Sequence, residues 1–406
     1  MTESTPGQAL TDLVVLDCTQ GIAGPYCSLQ LATLGATVIK LEPPTGDWMR
    51  RAGPPFVDGV GAAAYQLNRG KRSVAVDLDT PQGVQILRRL LRGSDVLLHD
   101  MTESVAESRG LTPPQLRTIN PRLIDCSVTP FGETGPWADL PATESEIQFT
   151  SGTWRYLGVL GEPPVRVGAD VAGILGGCTA LQAILAALAS EHGLGQHLAT
   201  SELGALMGVS TVMVAALDDP DTWDGFHTNA ATYPPDRGIR TADGRIYYGQ
   251  PLRSEQAWVD FCREIGAEAL LRDPRFATRE MRMPNQALLR RELEPYFERF
   301  STEDLVEKVV RSDGIAVPIQ DQHEVIHHPQ LAALGAVRDA DGMSVQSPPW
   351  RDGDDQIRPI TAPAPGIGVD THDVLTEFGF LPDELGQLAS TGAIPGAEAH
   401  HQGGTT

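Results

Sequence analysis

The residue best placed to do chemistry in this 406-residue chain is Asp170, which stands immediately before a 20-residue uncharged run, Val171 to Ser190. Two uses of that carboxylate fit the position. As a plain helix N-cap it accepts backbone N–H bonds and complements the positive end of the helix dipole. Left free, it is a nucleophile or a general base. Spacing alone favours the cap. A second group of interest is the basic stretch Lys40, Arg50, Arg51, Arg69, Lys71 and Arg72, which holds two of the chain's three lysines. It reads either as a solvated face or as an anion site, with Arg69, Lys71 and Arg72 as candidate phosphate contacts or simply a turn between strands. The five cysteines (18, 27, 126, 178 and 262) are odd in number, widely spaced and without a C-x-x-C pair. They fit reduced thiols in a cytoplasm and point to neither a disulfide framework nor a zinc site. The histidines show no H-E-x-x-H pattern, and the adjacent pairs His327-His328 and His400-His401 diverge on either a helix or a strand. No metal is expected.

These residues need elements to position them. The first 130 residues alternate short apolar runs with helical spacing. Leu13 to Leu16, Ala36 to Leu41, Ser73 to Leu78, Asp95 to Leu98 and Leu123 to Val128 read as strands. Tyr26 to Leu34 and Pro81 to Leu91 read as helices. Such alternation predicts an α/β fold with a doubly wound, Rossmann-like parallel sheet, which takes ligands at the carboxyl ends of its strands. From Asp170 to about Ala216 the pattern is helical and unusually apolar, with a stop at Glu191 to Gly195. Val171 to Ser190 is long enough for a membrane span. It carries three glycines (173, 176 and 177) and lacks basic or aromatic flanks, so it reads as a helix buried in a large protein. Residues 1–216 are therefore read as the first part of a large domain and 217–238, with Pro220, Pro234, Pro235 and four aspartates in its first half, as a linker. A hairpin between Arg240 and Tyr248 and amphipathic helices to about Ser312 make a small α+β domain, 239–313. Residues 314–394 return to the large domain through strands in 337–345 and 354–360 and a last helix near 372–377. The tail 395–406 is expected to be disordered.

The formal net charge of −22 argues against nucleic acid and anionic lipid as partners. No basic region followed by an apolar core opens the chain, so no signal peptide is expected.

A series of motifs carries a family resemblance. Leu16 to Pro25 reads L-D-C-T-Q-G-I-A-G-P. Leu34 to Arg50 reads L-G-A-T-V-I-K-L-E-P-P-x-G-D-W-M-R. Asn68 to Leu78 reads N-R-G-K-R-S-V-A-V-D-L. G-E-T-G-P follows at Gly132 to Pro136, then Ile147-Gln148 before Ser151-Gly152. P-P-V-R-V-G-A-D follows at Pro163 to Asp170, and Gly366-Ile367-Gly368 comes with His372 and Phe378-Gly379 near the end. In this order, over roughly residues 10 to 394, the chain resembles the class III (CaiB/BaiF) CoA-transferases, a family that includes formyl-CoA transferase and 2-methylacyl-CoA racemase.

The resemblance implies two interlocked copies, with coenzyme A as substrate and an acyl-CoA and a carboxylic acid as reaction partners. It makes Asp170 the nucleophile that forms a mixed anhydride and then an aspartyl-CoA thioester, with the N-terminus of its helix steadying the developing charge. It implies coenzyme contacts at Gly21, Ile22 and Ala23, at Arg72 and Val76, at Asp100 and Met101 (where the family has Asn-Phe), and at Arg109, beside Ser108 at a family arginine. Several positions depart from the pattern. Ile22 replaces a glutamine, Pro43 and Asp79 stand at basic positions, and a glycine-rich loop is missing from 217–249. Racemase members carry a histidine in G-H-D-x-N-Y, whereas this chain has Thr143 there, in Ala142 to Ile147. Since a threonine hydroxyl is no base near neutral pH, transfer is favoured over racemisation or isomerisation. The lost basic positions also admit a non-catalytic CoA-binding protein.

Overall fold

The computed structural model describes residues 9–57, 59–153, 165–190, 195–211, 238–249, 254–340, 343–352, 355–356 and 359–396. The expected linker, apart from Gly238, and the tail beyond Gly396 lie outside the described residues, as does most of the stop at 191–195. The chain divides into two compact units, one within residues 1–154, 166–214 and 332–406, the other within 155–165 and 215–331.

The first unit is built on a six-stranded sheet: β1 (Val14–Cys18), β2 (Thr37–Glu42), β3 (Arg72–Ala75), β4 (Val96–His99), β5 (Ile124–Thr129) and β6 (His197–Ser201). The spatial order is β3-β2-β1-β4-β5-β6, and every neighbouring pair is parallel. This is the doubly wound arrangement that the alternating pattern predicts. Successive residues serve opposite faces, as the two-residue strand period requires. Val15, Val38, Val96 and Leu98 pack with Cys27, Leu31, Ala180 and Ile184 on one side. Leu16, Ile39, Val74 and Leu97 pack with Leu87, Leu90, Val374 and Leu375 on the other. Strands buried on both faces explain the near-continuous apolar runs.

Four helices frame the carboxyl edge of this sheet: α1 (Ala23–Thr33), α2 (Glu144–Thr150), α3 (Val171–Ala189) and α4 (Glu202–Met207). By length and composition α3 would cross a membrane. Here its stripe of Ala172, Gly176, Gly177, Ala180, Ile184 and Ala187 is buried, with Ala180, Ile184 and Ala187 in the core beneath the sheet. Its glycines explain the close fit to α1. A Cβ on Gly177 would lie 2.4 Å from the Ala23 carbonyl oxygen, and one on Gly173 2.8 Å from Ile22 Cγ2.

The second unit has its own three-stranded antiparallel sheet. It comprises β7 (Ile239–Arg240), β8 (Arg245–Gly249) and β9 (Ile315–Pro318), in the order β9-β8-β7. Helices Glu255–Glu264, Gln286–Phe297 and Thr302–Arg311 bring Trp258, Phe261, Phe297 and Leu305 into a separate core.

Three features differ from the sequence reading. The expected run of helix from Asp170 to about Ala216 is interrupted by β6, whose mixed residues His197 to Ser201 form a half-buried edge strand without apolar alternation. The return to the large domain, expected at about Gly314, comes later, because β9 completes the second unit's sheet and the first unit resumes at Ala332. The helix Thr371–Glu377 is followed by another, Pro382–Ser390, which packs Leu385 on the main core.

Candidate active site

In the strand order, direction reverses between β1 and β4, and the crevice at their carboxyl ends is the ligand position of such sheets. The loop leaving β1 is fixed from below by a buried ionic cluster. Asp17 accepts from Thr19 N (3.0 Å), Thr19 Oγ1 (2.5 Å), Ser28 Oγ (2.6 Å) and Lys71 Nζ (3.1 Å). Lys40 Nζ donates to the Thr19 carbonyl and lies 3.2 Å from Asp47 Oδ2. Asp47 Oδ1 in turn accepts from Gly21 N (3.2 Å) and Met49 N (2.9 Å). Burial opposes every charge in this cluster. At Asp17 the two ammonium groups and two hydroxyls outweigh it and hold the carboxyl well below its usual range. At Lys71 burial prevails and draws the ammonium down to about 8. Gly21 has φ +80°, which favours glycine, and a Cβ there would lie 3.1 Å from the Trp48 ring. From β4, Asp100 accepts Gln20 N at 2.9 Å and secures the loop from its other side.

Asp170 occupies the N-cap position of α3 but its side chain caps nothing. The cap comes from Glu144 on α2, whose Oε1 and Oε2 accept from Ala172 N (2.8 Å) and Gly173 N (2.9 Å). Gln148, fully buried, locks this arrangement. Its Nε2 donates to Glu144 Oε1 (2.7 Å) and to the carbonyls of Val167 (3.2 Å) and Ala169 (3.0 Å), and its Oε1 accepts Val167 N (2.9 Å). The plain-cap reading of Asp170 therefore fails. Partial burial raises the Asp170 carboxyl above its ordinary value, Glu144 raises it further and Arg166 opposes them. A raised pKa makes a carboxylate a better nucleophile. The same geometry corrects the expected role of the helix N-terminus, since its Ala172 and Gly173 amides are already taken by Glu144.

Asp170 opens onto a cleft of about 360 Å³. Of the candidates read from sequence, Gly21, Ile22, Ala23, Asp100 and Asp170 line it together. The others are placed elsewhere. Met101 and Val76 are buried in the main core, because a strand and the residues just beyond it point alternately in and out. Arg72 makes a bidentate pair with Glu377 (2.6 and 2.8 Å). Arg109 pairs at 2.7 Å with Asp79, so the arginine beside Ser108 is engaged by the acidic residue that stands at a family basic position. Lys71, proposed for phosphate, is consumed by Asp17, Ser28, Asn68 and the Pro25 carbonyl. Arg69 is also buried. Thr143 lines the cleft and is engaged with Glu146 in a capping box.

Sequence reasoning missed Trp48, Glu144 and Glu202, all of which line the cleft. Glu202 opens α4 directly after β6, and recognising that strand would have placed it at the carboxyl edge with the others. Burial pushes its carboxyl up to about 7, with Glu144 and Asp100 adding to the shift. Among the described residues no group of three or more His, Cys, Asp or Glu is disposed to hold a metal ion.

Comparison with known proteins places the chain in a family. The family model for CoA-transferase family III matches residues 10–371. A succinate–glutarate CoA-transferase of Agrobacterium fabrum is 33% identical over 346 residues, covering 80% of this chain and 84% of that protein. A formyl-CoA:oxalate CoA-transferase of Escherichia coli is 27% identical, covering 96% of this chain and all of that one. The crystal structure of a CaiB/BaiF family protein from Brucella suis superposes with a TM-score of 0.82 at 29% identity, over 93% of this chain and 100% of the other. A chain matched along most of its length in sequence and in fold, with a free carboxylate at the switch point of its sheet, belongs to CoA-transferase family III.

Proposed function

We propose that this protein moves coenzyme A from an acyl-CoA to a free carboxylic acid, with Asp170 as the covalent nucleophile. The observation that carries the reading is the free Asp170 carboxylate, left without a capping bond because Glu144 takes the helix end. Asp170 Oδ attacks the thioester carbonyl, the C–S bond breaks, and a mixed anhydride and CoA thiolate result. The thiolate attacks the Asp170 carbonyl carbon, releasing the first acid as carboxylate and leaving an aspartyl-CoA thioester. The acceptor carboxylate then attacks that thioester to form the second anhydride and free the thiolate. Attack of the thiolate on the new acyl carbon gives the product acyl-CoA and restores Asp170. Ile22 and Ala23, the N-cap and first residue of α1, line the cleft, and their amides, which have no intrahelical acceptor, are the donors assigned to the tetrahedral oxyanions.

Racemisation needs a second acid–base group beside the carboxylate. Thr143 stands at the histidine position of the family motif, and among the described residues no histidine lines the cleft, which supports transfer over proton exchange. The proposal extends to a homodimer in a reducing cytoplasm, a setting that the five unpaired thiols support. A screen of acyl-CoA donors against carboxylic acids, with Asp170→Ala as control, tests the activity. Transfer that survives in the variant contradicts the nucleophile. Deuterium uptake at the α-carbon without any acceptor acid would favour the racemase reading. A solution mass of twice the 43.5 kDa chain tests the dimer.

A further inference from the structure

The turn that follows the helix Ala62–Leu67 carries a charge that the fold does not balance. Among the described residues three arginines are buried: Arg50, Arg69 and Arg282. Arg50 makes a two-pronged pair with Glu42 (2.8 and 2.7 Å), and Arg282 makes one with Glu255 (both 3.0 Å). Arg69, only 3% exposed, has no such partner among the described residues. Its Nε donates to the Gln66 carbonyl at 3.1 Å, and its Nη1 has no acceptor. Burial lowers the guanidinium below its ordinary value, with Tyr65 alone opposing. An arginine does not shed its proton inside a protein, so a buried one needs an anion to offset its desolvation.

Arg69 borders a cavity of about 70 Å³ between α1, this turn and the returning segments 346–349 and 359–360. Ser347, 2% exposed, borders it too, and its Oγ likewise lacks a partner. Gln30, Gln66 and Gln346 add amide groups to the walls, and no aspartate or glutamate is among the lining residues described. One water needs about 10–15 Å³ of such space, so the cavity has room for a small polyatomic ion and not for a nucleotide. It shares no residue with the cleft beside Asp170.

We propose that Arg69 and Ser347 bind one oxyanion, a phosphate or a carboxylate, at a site apart from the catalytic cleft. The guanidinium supplies the positive charge and a planar set of N–H donors suited to either group. The Ser347 hydroxyl supplies a further donor. Two sources offer this chemistry: free phosphate, or an aspartate or glutamate side chain of a second copy of the chain. Either one ties α1 and the turn at Arg69 to the segments that return near residues 346–360.

The test uses the full-length protein with coenzyme A in excess, so that phosphate does not act through the catalytic cleft. Thermal melting is followed as potassium phosphate replaces potassium chloride at constant ionic strength, and crystals soaked in selenate are searched for anomalous density. With a free anion, the melting temperature of the parent rises saturably with phosphate, and selenate lies against the Arg69 guanidinium. Arg69→Gln then weakens the apparent phosphate affinity by about tenfold or more, and Ser347→Ala, which carries the test if Arg69→Gln does not fold, weakens it less. With a second copy as the source, phosphate has no effect, and the crystal shows a carboxylate of the other chain on Arg69. Arg69→Gln then weakens dimerisation, measured by sedimentation across a dilution series, by about tenfold. A guanidinium met by water alone in the crystal, or a phosphate response that neither variant changes, overturns the proposal.

Discussion

Two groups of charged residues sit within one loop of each other and behave in opposite ways. Below the loop leaving β1, Asp17, Lys40, Lys71 and Asp47 are buried and ion-paired with one another. Above it, Asp170 and Glu202 make no hydrogen bonds among the described residues and line the cleft with Asp100, Asp139 and Glu144. In the lower cluster, opposite charges outweigh burial at Asp17 and keep its proton off. In the upper group, burial and neighbouring carboxylates act together and raise both acids. The contrast teaches that residue type alone does not mark function here. The paired charges fix the backbone of Thr19 to Ala23, and the unpaired ones are left to meet substrate.

The comparison can be broken or sharpened by substitution. The largest expected effect is at Asp170. Asp170→Ala should lower transfer by roughly 10³-fold or more, as loss of a covalent nucleophile does, with thermal melting unchanged because the side chain caps nothing. Next is Lys71→Met, which leaves Asp17 in the core with Lys40, 3.8 Å away, as its remaining ammonium partner. Removing one partner of a buried ion pair costs up to about 3–5 kcal/mol where the other is left uncompensated, so chemical denaturation should show a smaller but clear loss, together with weakened activity as the β1 loop slackens. A variant as stable as the parent would erase the distinction between the two groups.

Smaller effects follow at the titrating residues. The folded pKa of Glu202, about 7, lies above its ordinary 4.5. The native state therefore holds a proton that the unfolded chain releases between these values, and stability falls as pH rises through that window. Glu202→Gln should remove the penalty, so its melting temperature relative to the parent should be higher at pH 8 than at pH 4.5. His197 has the opposite sign. Its Nδ1 lies 2.8 Å from Asp125 and its Nε2 2.9 Å from Glu133, and these bonds raise it from 6.5 to about 10 against the effect of burial. Its contribution is full below about 6.5 and is lost as pH rises through about 10, so His197→Gln should cost most at pH 6 and little at pH 10.5. The smallest effect is Arg72→Ala. An exposed pair such as Arg72–Glu377 contributes only about 0–1 kcal/mol, and the KM for acyl-CoA should change by less than about twofold if Arg72 is structural.

Much of this was legible in the residues. The alternation of short apolar runs with helical spacing from Leu13 to Val128 predicts the parallel sheet, and Pro81 to Leu91 matches its helix residue for residue. Gly21 to Ala23, Asp100 and Asp170 were placed together by motif order. What escaped depended on partners distant in sequence. Whether Asp170 is a cap or a free carboxylate is decided by Glu144, 26 residues earlier. Whether Lys71 and Arg72 can hold phosphate is decided by Asp17 and by Glu377 near the other end of the chain. β6 lacks alternation because it is a half-buried edge, and with it went the chance to place Glu202.

The central claim is that Asp170 becomes covalently bonded to coenzyme A. The direct measurement is to incubate the protein with the acyl-CoA donor that its transfer assay identifies, trap with hydroxylamine or borohydride, and map the modified peptide by mass spectrometry. A modification at Asp170 that disappears in Asp170→Asn is the predicted result. Full transfer activity with Asp170 unmodified at every time point would contradict the account.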